Sequence, residues 1–189
     1  MRWLNRAYEG FAWPTPGPEK PSCSFQLAGS NELIGTPTFK PGVVFFLYRV
    51  IPNEHVRRTL RDNGPNRGRA SFAVDLHYLA IPWIEGARDE ALLLGWTMRM
   101  LESHPVLGPG DLGDGAFAED ESVQIVIGEI SNEDLMRIWD AIEPPYRLSV
   151  PYIARVVQID LEQPPEPKPV VAKKLIFEQI KGPGSGEQP

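Results

Sequence analysis

The 189-residue sequence has one cysteine, Cys23. A lone cysteine excludes an intramolecular disulfide and a cysteine-based zinc site. Long apolar runs are also missing. The longest stretch, Val43 to Tyr48, is strand length, well short of the ~18 residues of a membrane-spanning helix. The start, Met1-Arg2-Trp3-Leu4-Asn5-Arg6, is basic but leads into no apolar segment. No secretory signal is therefore expected, and synthesis and folding in the cytoplasm are. Positive charge is in deficit, with 19 Lys and Arg against 25 Asp and Glu and a formal net charge of −6. That balance disfavours binding to a phosphate backbone, which depends on Lys and Arg releasing counterions.

Catalytic signatures are scarce as well. No P-loop, dinucleotide-binding glycine pattern or nucleophile elbow is present. The glycine-rich run Gly108 to Gly115 follows a helical pattern and lacks a phosphate-binding lysine, so it reads as a loop. Asp111 and Asp114 do not fit the spacing of an EF-hand, and Glu119, Asp120 and Glu121 read as a solvated acidic run. The three histidines, His55, His77 and His104, have no ligand-like local spacing. His104 suits the last turn of a helix, where a cation complements the dipole. His77 lies two residues from Asp75, which suggests a hydrogen-bonded pair. No metal, cofactor or catalytic residue is expected. A metal-dependent hydrolase built on the three histidines is the enzymatic alternative.

Periodicity shows what is present. Residues 1–40 are rich in Pro, Gly and Ser and read as an irregular segment. Its aromatics, Trp3, Phe11, Trp13 and Phe25, suit local packing better than docking on another surface. Residues 41–161 carry the regular pattern of one domain. Val43 to Val50 is β-branched and aromatic, hence a buried strand. Arg57, Arg58, Arg61, Arg67 and Arg69 then form a basic loop, either solvated or touching a protein partner; no aromatics interleave as a nucleic-acid surface would want. Ser71 to Ile81 reads as a long strand whose second face is polar at Asp75 and His77. Ala87 to His104 is a helix with its stripe at Ala91, Leu94, Met98 and Leu101, stopped by Pro105. Ser122 to Ile130 is a strand. Ser131 caps a second helix with Asp134 as the reciprocal partner, and Leu135, Ile138, Trp139 and Ile142 form its buried stripe. Tyr146 to Asp160 is extended, with its alternation inverting part-way, which places a bulge at Pro151. Residues 162–189 are a Pro-rich extended tail, partly disordered, with an apolar stretch from Val170 to Ile180. The fold class is α+β: a mostly antiparallel sheet packed with two helices.

Several segments form an ordered series: Phe46-Leu47-Tyr48-Arg49-Val50-Ile51-Pro52-Asn53, Val74-Asp75-Leu76-His77-Tyr78-Leu79, Leu93-Leu94-Gly95, His104-Pro105-Val106-Leu107, and Pro145-Tyr146-Arg147-Leu148-Ser149-Val150-Pro151-Tyr152. Across residues 43–160 this series resembles the N-terminal domain of the tail-terminator (cap) proteins of extracellular contractile injection systems, of the antifeeding-prophage and Photorhabdus virulence cassette type. The resemblance implies a phage tail-terminator-like fold that forms a homohexameric ring on the end of the tube and sheath. Such a ring halts polymerisation and anchors the last sheath layer. It implies self-association, tube and sheath subunits as partners, no nucleic acid, no membrane, and final residence in a particle that acts outside the cell. Another tail-completion or connector protein is the near alternative. Members of that family begin with a helix of about two dozen residues, which residues 1–40 do not match. Arg49, Arg57, Arg58, Asp75, His77, Tyr146, Arg147 and Tyr152 are the candidate interface residues, because polar strand residues need neighbours and Tyr and Arg are enriched in interfaces.

Overall fold

The computed structural model describes residues 1–14, 19–35, 37–56, 58–60, 70–112, 117, 121–142 and 144–160. In chain order the elements are α1 (Arg2–Glu9), β1 (Ser24–Ala28), α2 (Ser30–Leu33), β2 (Gly42–Pro52), β3 (Arg58–Leu60), β4 (Ala70–Trp83), α3 (Ala87–Ser103), β5 (Val106–Leu107), α4 (Pro109–Leu112), β6 (Val123–Ile127), α5 (Asn132–Ala141) and β7 (Val150–Asp160). Seven strands form one sheet in the order β1-β2-β4-β7-β6-β5, with β3 also paired to β4. Among the described residues only β1 and β2 run parallel; the other pairs are antiparallel.

Helices cover both faces of this sheet, so its strands are apolar on both sides near their middle. On the first face, α1 and α3 pack on Val43 and Phe45 of β2, Ala80 of β4 and Tyr152 of β7. On the second face, α5 and α2 pack on Val44, Phe46, Leu79 and Ile81. This alternation follows from the two-residue period of a strand. α5 starts where Ser131 Oγ accepts the Asp134 N–H at 3.0 Å, while the Ser131 hydroxyl donates to the Asp134 carboxylate at 2.7 Å. Its buried stripe holds Leu135, Trp139 and Ile142, as the periodicity predicts.

The N-terminal segment differs from the irregular expectation: it supplies α1, β1 and α2. Its aromatics drive this. Tyr8 packs on Phe11, Trp13, Phe25 and Trp96 with centroids 5.3–6.5 Å apart. Each such pair contributes about 0.5–1.5 kcal/mol beyond area burial. Pro14 and Pro21 lie in the connection between α1 and β1, so proline punctuates the elements instead of preventing them. Gly42 has a specific reason: at φ +153° a Cβ there would sit 1.8 Å from the Ser24 carbonyl oxygen. Only glycine lets β2 enter the sheet beside β1.

Two further expectations shift. The stripe of α3 is centred on Leu93, Thr97 and Leu101, and Ala91 is exposed. Thr97 can face the core because its hydroxyl donates to the Leu93 carbonyl at 2.7 Å, so that hydroxyl is paired where it is buried. The bulge in β7 is not at Pro151, which stays in register opposite Leu79. The extra residue falls between Ala154 and Val157, where Val156 adopts φ +58°. A second bulge lies in β2 between Leu47 and Arg49. The expected glycine-rich loop contributes α4 before leaving the described residues, and the tail beyond Asp160 lies outside them.

Candidate interaction surface

β4 is the longest strand, and its N-terminal half reaches past α5 on the second face. There the two bulges flank it on opposite sides: the β2 bulge opposite Tyr78 and His77, the β7 bulge opposite Val74 and Leu76. Bulges re-aim side chains and raise local twist. The result is a polar groove of about 400 Å3 lined by Asn53, His55, Asp75, His77, Gln124 and Arg155, among others.

Asp75 organises this end. Its Oδ1 accepts from Asn53 Nδ2 at 2.9 Å and from the Val156 N–H at 3.2 Å. A β-branched residue at positive φ is strained, and the charged acceptor stabilises that backbone. Asn53 is 7% exposed, and its Oδ1 accepts the N–H groups of His55 and Val56 at 3.0 and 2.9 Å. The pair anticipated between His77 and Asp75 is thus replaced by bonds from Asn53 and Val156. His77 sits opposite Arg49 in the ladder and 6.0 Å, ring to ring, from Tyr48. Burial holds its pKa below the usual histidine value; the Arg49 and Arg155 charges lower it further and Asp75 opposes them.

The structure therefore brings Arg49, Asp75 and His77 together at one end of the sheet, with Arg49 exposed and Asp75 and His77 half-buried. It separates them from the other candidates. Tyr146 is half exposed and rests edge-on against Trp139 at 5.8 Å, on the α5 side. Arg147 is held within the chain: it pairs with Glu90 at 2.6 Å, donates to the Ile84 carbonyl at 3.1 Å and stacks 4.6 Å from the Trp83 ring. That is a fixed strut between the β4–α3 turn and the approach to β7, and an ion pair backed by an aromatic face is well used by arginine. Tyr152 is 3% exposed, so this chain's own core takes it from the surface; burial pushes its hydroxyl pKa up to about 12. Arg57 and the Arg58 side chain lie outside the described residues, as do Arg61, Arg67 and Arg69.

The histidines do not converge. His55 and His77 line the polar groove, but His104 caps α3, 3.3 Å from Asp111 and against the Trp3 ring at 5.0 Å. Among the described residues no group of three His, Cys, Asp or Glu side chains is placed to hold a metal ion. No helix of the described residues is long and apolar enough to cross a membrane.

The β1 edge carries a device that sequence reading missed. Asn5 of α1 donates through Nδ2 to the Phe25 carbonyl at 3.2 Å and accepts the Phe25 N–H on Oδ1 at 2.9 Å. A side-chain amide thereby takes the two backbone groups that an added strand would use. Covering an edge is a recognised defence against uncontrolled strand addition. No sequence signal marks Asn5, because the contact joins residues 20 apart.

A profile of the Pvc16 N-terminal domain matches residues 2–173. The chain belongs to the Pvc16 N-terminal domain family. Among solved structures, this Pvc16 N-terminal domain is similar to the sheath/tube terminator, in the extended state, of an extracellular contractile injection system, PVC. The TM-score is 0.51 at 16% identity, over 96% of this chain and 61% of that one. It is also similar to the tube-terminating cap of the anti-feeding prophage, with a TM-score of 0.46 and 18% identity over 71% of this chain and 50% of that one. The chain thus spans between half and two thirds of the length of these structures. No curated protein matches it. The fold expected from the sequence, a mostly antiparallel sheet of tail-terminator type, is the fold observed.

Proposed function

We propose that this chain is a structural cap that closes as a ring, sixfold by the family resemblance, on the end of the tube and sheath of a contractile injection particle. Family membership across residues 2–173 is the observation that carries the reading, and the terminator-like fold agrees with it. The ring stops polymerisation and anchors the last sheath layer, without catalysis. The chain is made in the cytoplasm and ends in a particle that works outside the cell. Its partners are copies of itself and the tube and sheath subunits beneath it, not nucleic acid or lipid.

The geometry supports a head-to-tail closure. A ring needs two different patches that complement each other, and unequal sheet ends provide them. At one end, Asn5 blunts the β1 edge. At the other, β5 pairs with Val123 and Gln124 of β6, the Pro105 carbonyl takes the Ile125 N–H, and Ile127 and Val106 are each 50% exposed. Arg49 of β2, His77 of β4 and Arg155 of β7 offer a polar contact surface across three neighbouring strands. Electron microscopy of particles from a strain lacking this chain tests the role. Tubes and sheaths of broadly spread length are expected. A uniform, normal length would overturn the proposal.

A further inference from the structure

The first face of the sheet is not fully covered by α1 and α3. An apolar groove of about 250 Å3 remains, lined by Leu27, Leu76, Tyr78, Tyr152, Ala154 and Val157, among others. Leu27 is 56% exposed. The Tyr152 hydroxyl, buried beside this groove, has no hydrogen-bond partner among the described residues. That oxygen is sealed from solvent, so what marks the site is the half-open apolar lining itself.

We propose that residues 170–180 of the same chain are that occupant, docking into the groove in cis against Leu76, Ala154 and Val157. The route of the chain supports this. β7 ends at Asp160, three residues beyond the groove residue Val157, which at about 3.3 Å per residue is ~10 Å away. The nine residues 161–169 include four prolines. Such a linker reaches ~28 Å at about 3.1 Å per residue, enough to turn back across that distance. Proline also lacks the N–H that would prolong β7. Composition changes sharply at its end. Val170-Val171-Ala172-Lys173-Lys174-Leu175-Ile176-Phe177-Glu178-Gln179-Ile180 holds seven apolar residues of eleven, against one of nine in the linker. Its charge is complementary: the segment brings Lys173 and Lys174, while Asp111 lines the groove and Glu102 lies close enough to act on Tyr152.

Methyl NMR of the full-length chain tests the proposal. Cross-relaxation between the Leu175 or Ile176 methyls and those of Leu76 or Val157 is expected, unchanged on tenfold dilution. The double substitution Leu175→Asp/Phe177→Asp should abolish it, shift the Val157 methyls and increase fluorescence of the apolar dye ANS at least several-fold. As the folding control, the substituted chain is expected to keep its amide fingerprint for β2, β4 and β7. Random-coil shifts for the methyls of residues 170–180, with Val157 unmoved by the substitutions, would overturn the proposal. Contacts that vanish on dilution would also overturn it, by assigning the groove to a second copy.

Discussion

Replacing Asp75 with alanine separates a residue that holds the fold from one that only meets a partner. The substitution removes the acceptor for the Val156 N–H and for the Asn53 side-chain amide. Hydrogen bonds to a charged acceptor are worth about 1.5–3 kcal/mol each. The site is partly exposed, so the lower end applies, giving about 3 kcal/mol for the two. Asn53 adds a coupled cost. It is almost fully buried and anchors the chain after β2 through the His55 and Val56 N–H groups. For a chain of this size, about 3 kcal/mol lowers Tm by roughly 6–12 °C. Urea unfolding of the full-length Asp75→Ala chain, with Asn53→Ala and the double variant, completes a cycle. The two changes share a bond, so their effects should fall short of additivity by about 1 kcal/mol or more. Asp75→Asn retains an acceptor oxygen and should lose less than half as much. An Asp75→Ala chain as stable as wild type would refute the account of the β7 bulge and return Asp75 to a pure contact role.

Gly42→Ala places a Cβ 1.8 Å from the Ser24 carbonyl oxygen at φ +153°; loss of the β1–β2 pairing and destabilisation of about 3 kcal/mol or more are expected in denaturant unfolding. Asn5→Ala removes the two bonds that cover Phe25, costing about 1–2 kcal/mol and opening an edge; sedimentation velocity should then show concentration-dependent species larger than the wild-type assembly, whereas Asn5→Asp, which loses the donor, should be intermediate. For His77, the folded pKa lies below the unfolded value. The native state therefore binds fewer protons, and the contribution of His77 is present above its ordinary pKa and lost as pH falls through the lowered one. His77→Gln should flatten the fall in Tm between pH 7 and pH 5; an unchanged slope would rule out His77 as its source.

Much of the scaffold was legible because its signals are local. β2 announces itself through Val43-Val44-Phe45-Phe46, which is buried on both faces. The Ser131 cap and the Leu135, Trp139 and Ile142 stripe fix α5. The inverted alternation in β7 was also visible, but its site was not. Proline suggested Pro151, whereas the inversion is set at Val156 by a carboxylate 81 residues earlier in the chain. Residues 1–40 misled for a related reason. Their proline and glycine content describes the connections, while α1 and β1 are held by aromatic contacts with Trp96 and by Asn5, which composition does not reveal. The placement of the candidate interface residues was legible only in part. Arg49, Asp75 and His77 stood out as polar positions in apolar strands, and they cluster. Only residue type singles out Tyr146, Arg147 and Tyr152, and residue type does not distinguish an interface anchor from a strut such as Arg147–Glu90 or a core ring such as Tyr152.

Cryo-electron microscopy of the tube end in particles that incorporate this chain tests the central claim most directly. A single closed ring of six copies is predicted, seated on the last tube and sheath layers, with density following β1 to β7 and neighbouring copies meeting through unlike ends of the sheet. A particle end complete without density for this chain, or the chain found along the length of the tube, would contradict the account.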